Sequence, residues 1–172
     1  SNPVFISITG STQGLITEGA FTPESVGNSY QDGHENETLV KAISHNITIP
    51  RDPNSGQPSG QRAHKPLVVT KLFDKSSPLL YNALTKGETL TDVELKWYRT
   101  GYAGKPEHYF TVTLEDAVIV NMDAVMEPIE GDAMADVAPM EKVSFAYRKI
   151  SWRHETASTS GEDDWRIGVG AR

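Results

Sequence analysis

The sequence predicts an all-β, mainly antiparallel fold, a β-barrel or two-sheet sandwich with one short α-helix docked on its side. Three observations carry that expectation. About eight segments alternate apolar and polar residues with the period of a half-buried strand. Turn-forming clusters of Gly, Pro, Asn and Asp separate them at fairly even spacing. A single segment has helical spacing, too few for the crossovers that a parallel sheet needs.

The elements follow in order. Val4, Ile6 and Ile8 alternate with Phe5, Ser7 and Thr9 to open the chain as a strand. Gly10 to Gly14 turns it, and Leu15 to Phe21 reads as its hairpin partner. Thr22 to Thr38, with Glu24, Asp32, Glu35 and Glu37, reads as a long exposed loop. Ile43, His45, Ile47 and Ile49 alternate with Ser44, Asn46 and Thr48, which predicts one half-buried strand. Pro50 to Gln61 is polar and holds three prolines and two glycines, so it reads as a projecting arm.

Val68, Val69, Leu72 and Phe73 give a short strand. Ser77 is placed to cap a helix, Pro78 suits the first helical position, and Gly87 supplies a left-handed stop. Leu80, Ala83 and Leu84 share one face, so this helix is one-sided and needs a sheet beneath it. Val93, Leu95 and Trp97 mark the next strand. Phe110, Val112, Leu114, Val118, Val120 and Met122 read as one long strand, interrupted at Asp116 by a bulge or an edge. Glu127 to Pro139 is an acidic connection. Val143, Phe145 and Tyr147 then switch parity to Ile150 and Trp152, which calls for a bend near Arg148-Lys149. The whole of 1–172 reads as one domain with a core over about 4–154. The tail from 155 to 172 is expected to be mobile apart from Trp165.

The stretch from Arg62 to Leu84 and its surroundings resemble the haemolysin-coregulated protein (Hcp) family, the tube subunit of bacterial type VI secretion systems. The residues that carry the resemblance are Arg62-x-His64-Lys65-Pro66, Thr70-Lys71, Asp74-x-Ser76-Ser77-Pro78-Leu79-Leu80-Tyr81, Gly87-x-x-Leu90 and Lys96-Trp97-Tyr98. Tyr109-Phe110, Leu114-Glu115 and Ile150-Ser151-Trp152 extend it, so that it runs from about Val4 to Trp165. Departures lie in the acidic Thr22 to Thr38 loop and the far C-terminus. The resemblance implies six-membered rings with strands lining the inner wall and the helix turned outward. It also implies that rings stack into a tube driven by a contractile sheath and tipped by a spike protein of the valine-glycine-repeat type. Small effector proteins would travel in the lumen. The subunit would start in the bacterial cytoplasm and leave without a signal peptide, for the extracellular space or a target cell. Some relatives carry a toxin domain after this module, and here the pattern ends near Trp152, so none is expected.

Composition narrows the function classes independently. At 172 residues the chain has enough length for a self-sufficient core. It has no cysteine, which removes disulfides and thiolate metal sites. A net charge of −7 opposes nucleic-acid binding as a main role, because phosphate recognition needs clustered Lys and Arg. No apolar run reaches the ~20 residues of a membrane-spanning helix, and no secretory signal is evident at the start, so no membrane insertion is expected.

No motif for catalysis or a cofactor is present. His34, beside Asp32 and Glu35, is the metal-ligand candidate, but no second histidine falls at a suitable spacing, and an exposed loop position is expected for it. His45 reads as a partly buried strand residue, and His64 as structural or interfacial. Glu115 and Asp116 point to opposite faces of a strand and cannot converge. Contact surfaces are the better expectation. Arg51, Asp52, Arg62, His64, Lys65 and Asp74 are the candidates for subunit contacts, with Tyr102, Tyr109 and Trp165 as further boundary aromatics. Two rivals to the tube reading are a monomeric small β-barrel that binds a ligand at its open end, and a hydrolase built on His34 or His64 with nearby carboxylates.

Overall fold

The computed structural model describes residues 2–27, 33–126 and 138–166. Its strands are β1 (Val4–Gly10), β2 (Gly14–Leu15), β3 (Thr38–Ser44), β4 (Ile47–Thr48), β5 (Ala63–His64), β6 (Leu67–Leu72), β7 (Leu90–Thr100), β8 (Pro106–Glu115), β9 (Val118–Val125), β10 (Met140–Ala146), β11 (Lys149–His154) and β12 (Thr159–Asp164). Two helices accompany them, the single turn α1 (Pro23–Val26) and α2 (Ser77–Lys86). All pairings are antiparallel, and the main sheet follows the order β12-β11-β8-β7-β1-β3-β6-β10-β9.

That path closes on itself. Strands β8 and β9 are two parts of one bent segment, and so are β10 and β11. Strand β8 pairs with β11 while β9 pairs with β10, so the two bent segments form one long hairpin that joins both ends of the sheet. The bend in the first segment falls at Asp116, whose φ of 49° lies in the left-handed region that Asp tolerates. The sequence suggested a bulge or an edge within one long strand at this point; the structure has a corner between two strands. Parity flips across it, so Ala117 and Ile119 are buried and Val120 is exposed. The second bend, at Tyr147-Arg148, lies where the parity switch predicted it. Arg148 N donates to Glu115 O at 3.2 Å and ties the two corners together.

Alternate residues of each strand fill the barrel. Ile6, Ile8, Val69, Val93, Leu95 and Phe145 are almost completely buried. Strand β1 is covered on both faces, because Phe5 on the outside stacks on His34 with centroids 3.8 Å apart and meets Phe21 edge-on at 5.5 Å. His34 is therefore not the exposed loop residue expected from the sequence. Its Nδ1 lies 2.8 Å from Glu37 Oε1, and together they fold the 33–37 stretch over β1. The rest of that loop, 28–32, and the expected acidic connection over 127–137 lie outside the described residues.

Helix α2 packs on β9 through its apolar stripe, with Leu80 and Ala83 buried. Gly87 ends it at φ 64°, as expected. The start differs from expectation. Ser76 holds the cap position, while Asp74 Oδ1 accepts from Ser76 N at 2.9 Å. Ser77 has turned inward, where its Oγ donates to Glu141 at 2.6 Å and accepts from Asp74 N at 3.0 Å.

Those contacts belong to a buried ionic cluster. Lys71 takes the next inward position after Leu67 and Val69, directly across the sheet from Glu141 on β10. Lys71 Nζ is paired with Glu141 and lies 3.2 Å from Asp74 Oδ1, and Thr38 Oγ1 donates to Asp74 Oδ2 at 3.0 Å. Lys71 and Glu141 are 1% and 0% exposed, so neither charge reaches water to compensate for a lost partner. Lys71→Met should lower the unfolding free energy by about 3–5 kcal/mol in denaturant titrations, since it strands two buried carboxylates. Lys71→Met combined with Glu141→Met should recover most of that loss, because the pair is then replaced by apolar volume.

Candidate functional site

After Ser44 the chain leaves the barrel, and the predicted alternation through Ile49 continues onto the arm instead of in the sheet. Strand β4 pairs with β5, with Ile47 opposite His64 and Thr48 opposite Ala63. Beyond them Arg51 bridges to Pro58, Asp52 N donates to Gln57 O at 2.8 Å, and Gly56 at φ 72° makes the turn. The arm is thus a hydrogen-bonded hairpin. Its position off the sheet leaves Ile47 and Ile49 37% and 46% exposed, where the sequence pattern had them half-buried in a strand.

The base of the arm is fastened to the C-terminal strand. Arg62 Nε donates to Asp163 Oδ2 at 2.6 Å, and its second amine donates to Asp164 O at 2.9 Å. His64 Nε2 lies 2.7 Å from Asp163 Oδ2, and His64 Nδ1 lies 2.7 Å from the Tyr147 hydroxyl. His45, entering the arm from the other side, places Nε2 2.8 Å from the same hydroxyl. Trp165 caps the group by donating its indole N–H to Tyr147 O. Within the expected mobile tail, Thr159–Asp164 is therefore a strand, and Asp163 and Asp164 are anchors, while 167–172 lie outside the described residues.

Burial and charge shift the titrating groups in opposite senses. Burial lowers the His45 imidazole, and the neighbouring His64 lowers it further. Burial raises the Tyr147 phenol, and the Asp163 carboxylate adds to that. For Asp163, burial acts upward, but hydrogen bonds and charge from Arg62 and His64 outweigh it and hold the carboxyl below its ordinary range.

The six residues singled out from the sequence fall into two groups. Arg51, Asp52 and Lys65 are exposed on the arm; Arg51 donates to Gly56 O at 2.9 Å, and Asp52 Oδ1 accepts from Asn54 N at 2.8 Å. Arg62, His64 and Asp74 have side chains only 10%, 5% and 2% exposed and are committed to partners within the chain. They shape the surface without presenting free charge to it.

Among the described residues, His34 is occupied by Phe5 and Glu37, and His64 by Tyr147 and Asp163, and no arrangement suited to hydrolysis comes together around either. A triad-like grouping lies elsewhere, where Thr111 Oγ1 sits 2.7 Å from His108 Nε2 and donates to Glu155 at 2.6 Å. There the hydroxyl lies between imidazole and acid, so the imidazole donates to it and does not act as its base. Among the described residues no group of three or more His, Asp or Glu is placed to hold a metal ion.

The family model described as "Type VI secretion system effector, Hcp" matches residues 5–154. The "Major exported protein" of Pseudomonas aeruginosa is 57% identical over 169 residues, covering 98% of both chains. This chain belongs to the Hcp family. Its fold matches a solved Hcp protein with a TM-score of 0.92 at 52% identity, covering 96% of this chain and 99% of that one. It also matches the "Secreted protein Hcp3 from Pseudomonas aeruginosa" with a TM-score of 0.82 at 51% identity, over 96% and 99% of the two chains. The Hcp family match ends at His154, so β12 and the anchor residues Asp163 and Asp164 lie beyond it.

Sequence reasoning found the arm and its ends but missed Tyr147 and Asp163 as its anchors. They lie 83 and 99 residues from His64, and nothing local in the sequence marks them. Arg62→Ala should cost about 1.5–3 kcal/mol in urea unfolding, the usual loss for a hydrogen bond to a charged group. It should also move the acid-unfolding midpoint to higher pH. A depressed carboxyl stabilises the fold above its unfolded pKa and loses that contribution as pH falls, and without Arg62 the loss begins sooner.

Proposed function

We propose that this chain is the repeating subunit of a type VI secretion tube. Copies would close into hexameric rings, rings would stack, and sheath contraction would drive the tube out of the bacterial cytoplasm behind a spike of the valine-glycine-repeat type. Small effector proteins would ride in the lumen, and export would need no signal peptide.

One observation carries this reading beyond family membership: apolar side chains are exposed at both ends of the barrel. Ile47 and Ile49 lie on the arm at the Leu67 end of β6, with Tyr102 fully exposed on the neighbouring β7–β8 turn. Phe73, Val125 and Met126 are exposed at the Leu72 end, where Val125 pairs with Met140 and Met140 with Leu72. Different patches at opposite ends suit head-to-tail stacking, in which unlike surfaces meet. Among the described residues β12 is the last strand of the sheet order, and a neighbouring copy in the ring would lie along it. Arg51, Asp52 and Lys65 are placed to contact a neighbour directly, while Arg62, His64 and Asp74 would contribute by holding the arm and helix in position.

A second reading has its own support. A cavity of about 380 Å³ opens at the arm end of the barrel, lined by Ile43, His45, Leu67, Trp97, Tyr109 and Phe110. Its size and apolar walls fit a small ligand, as a monomeric binding module would require.

Solution mass separates the two. The tube reading expects particles of six times the chain mass that persist in about 1 M salt, where the Debye length is only about 3 Å. Exposed ion pairs contribute about 0–1 kcal/mol each, so apolar contact must hold the ring. Ile47→Ser with Ile49→Ser should abolish the growth of longer stacks seen by light scattering, while Arg51→Ala with Asp52→Ala should weaken it only slightly. Monomers at every concentration would favour the binding module, and dissociation by modest salt would contradict the apolar balance.

A further inference from the structure

We propose that His45, His64 and Tyr147 form a proton-operated latch that holds the arm against the C-terminal strand at neutral pH and releases it in acid. Asp163 Oδ2 already accepts from Arg62 Nε, and as a carboxylate it also requires a proton on His64 Nε2, 2.7 Å away. Neutral His64 is then an acceptor at Nδ1, which the Tyr147 O–H fills at 2.7 Å. The Tyr147 oxygen in turn accepts the Nε2–H of His45 at 2.8 Å. Every group is satisfied along one direction, from His45 through Tyr147 and His64 to Asp163.

One proton added to His45 disturbs that order, because it places a cation beside His64 and against the apolar wall of Ile43, Leu67, Trp97 and Phe110, where burial opposes the charge. Among the described residues, the charged or titratable groups facing the pair are Arg62 from the arm, the neutral Tyr147 phenol from the β10–β11 corner and Asp163 from β12. Arg148, at the same corner, is engaged with Asp116 at 2.9 Å and Asp164 at 3.3 Å.

The titration runs in the required direction. Burial, followed by His64, holds His45 below its ordinary 6.5 in the closed state, so the open state binds more protons as pH falls through that value. Asp163, also depressed, adds the same sense of change at lower pH, below its ordinary 3.8. The released element is the one that carries Ile47 and Ile49, so acid would alter the surface offered to a neighbouring copy. The latch itself is a property of the single chain and stands whether or not rings stack.

Hydrogen exchange on the full chain tests it, with rates corrected for the intrinsic effect of pH. Between pH 7.5 and 5.5, protection across 46–64 and 159–164 should fall together by up to about tenfold, the change linked to one proton taken up near 6.5. His45→Gln keeps a donor but does not titrate, and should show a clearly smaller change. Tyr147→Phe should leave the arm poorly protected at both pH values. The amides of β1 and β7 report whether each variant is folded, and the wild-type series decides alone if a variant is not. Solution mass at each pH separates latch opening from ring dissociation. Equal protection of the arm at the two pH values, release of the arm without β12, or an undiminished acid response in His45→Gln would overturn the proposal.

Discussion

The fold depends on one constraint: the two long segments that close the barrel must bend at the same level. Leu90 and Ala117 exchange main-chain hydrogen bonds of 2.7 and 3.0 Å at the first bend, and both residues are completely buried. Arg148 N reaches Glu115 O at the second. The ion pair between Asp116 and Arg148 spans the two bends, but it is too exposed to contribute much, and the buried main-chain pairing carries the closure. Once the bends are aligned, β8 and β9 lie against β11 and β10 respectively, the remaining strands fall into a closed ring, and α2 has β9 to pack on.

Closure has a consequence for function. A closed barrel uses up the edges along which a sheet would otherwise recruit partners, so association must use what lies outside the ring of strands. Here that means the β4–β5 arm, the β12 edge and the apolar ends. The arm is not a loose loop. Its tip is held by its own hydrogen bonds and its base by Arg62, His64, Tyr147 and Asp163. A preorganised projection would lose little conformational freedom on docking, so in the proposed tube even modest apolar contacts at Ile47 and Ile49 would be effective.

Much of this was legible in the residues. Periodicity gave the antiparallel barrel and the single packed helix, and the parity switch put a bend near Arg148-Lys149, one residue from the corner at Tyr147-Arg148. Proline density picked out the arm. What escaped was of three kinds. Alternation does not reveal where a sheet ends, so Ile47 and Ile49 read as half-buried when they lie on the arm. A polar, acidic loop gives no sign that it folds back, yet His34 covers Phe5. Polar residues whose partners lie far along the chain look like surface charges. Lys71 with Glu141, and His64 with Asp163, declare themselves only when the barrel brings them together. The tail was misread for the same reason, since the pairing of β12 is set by β11 and not by its own composition of Ser, Gly and acids.

We propose that this chain is a self-assembling brick whose arm is set in place before assembly. Electron microscopy of the purified protein should show six-fold annular particles in which each arm projects from one end of its own barrel and remains joined to its own β12. Compact single copies with no annulus at any concentration, or rings in which the arm is detached from β12 at neutral pH, would contradict it.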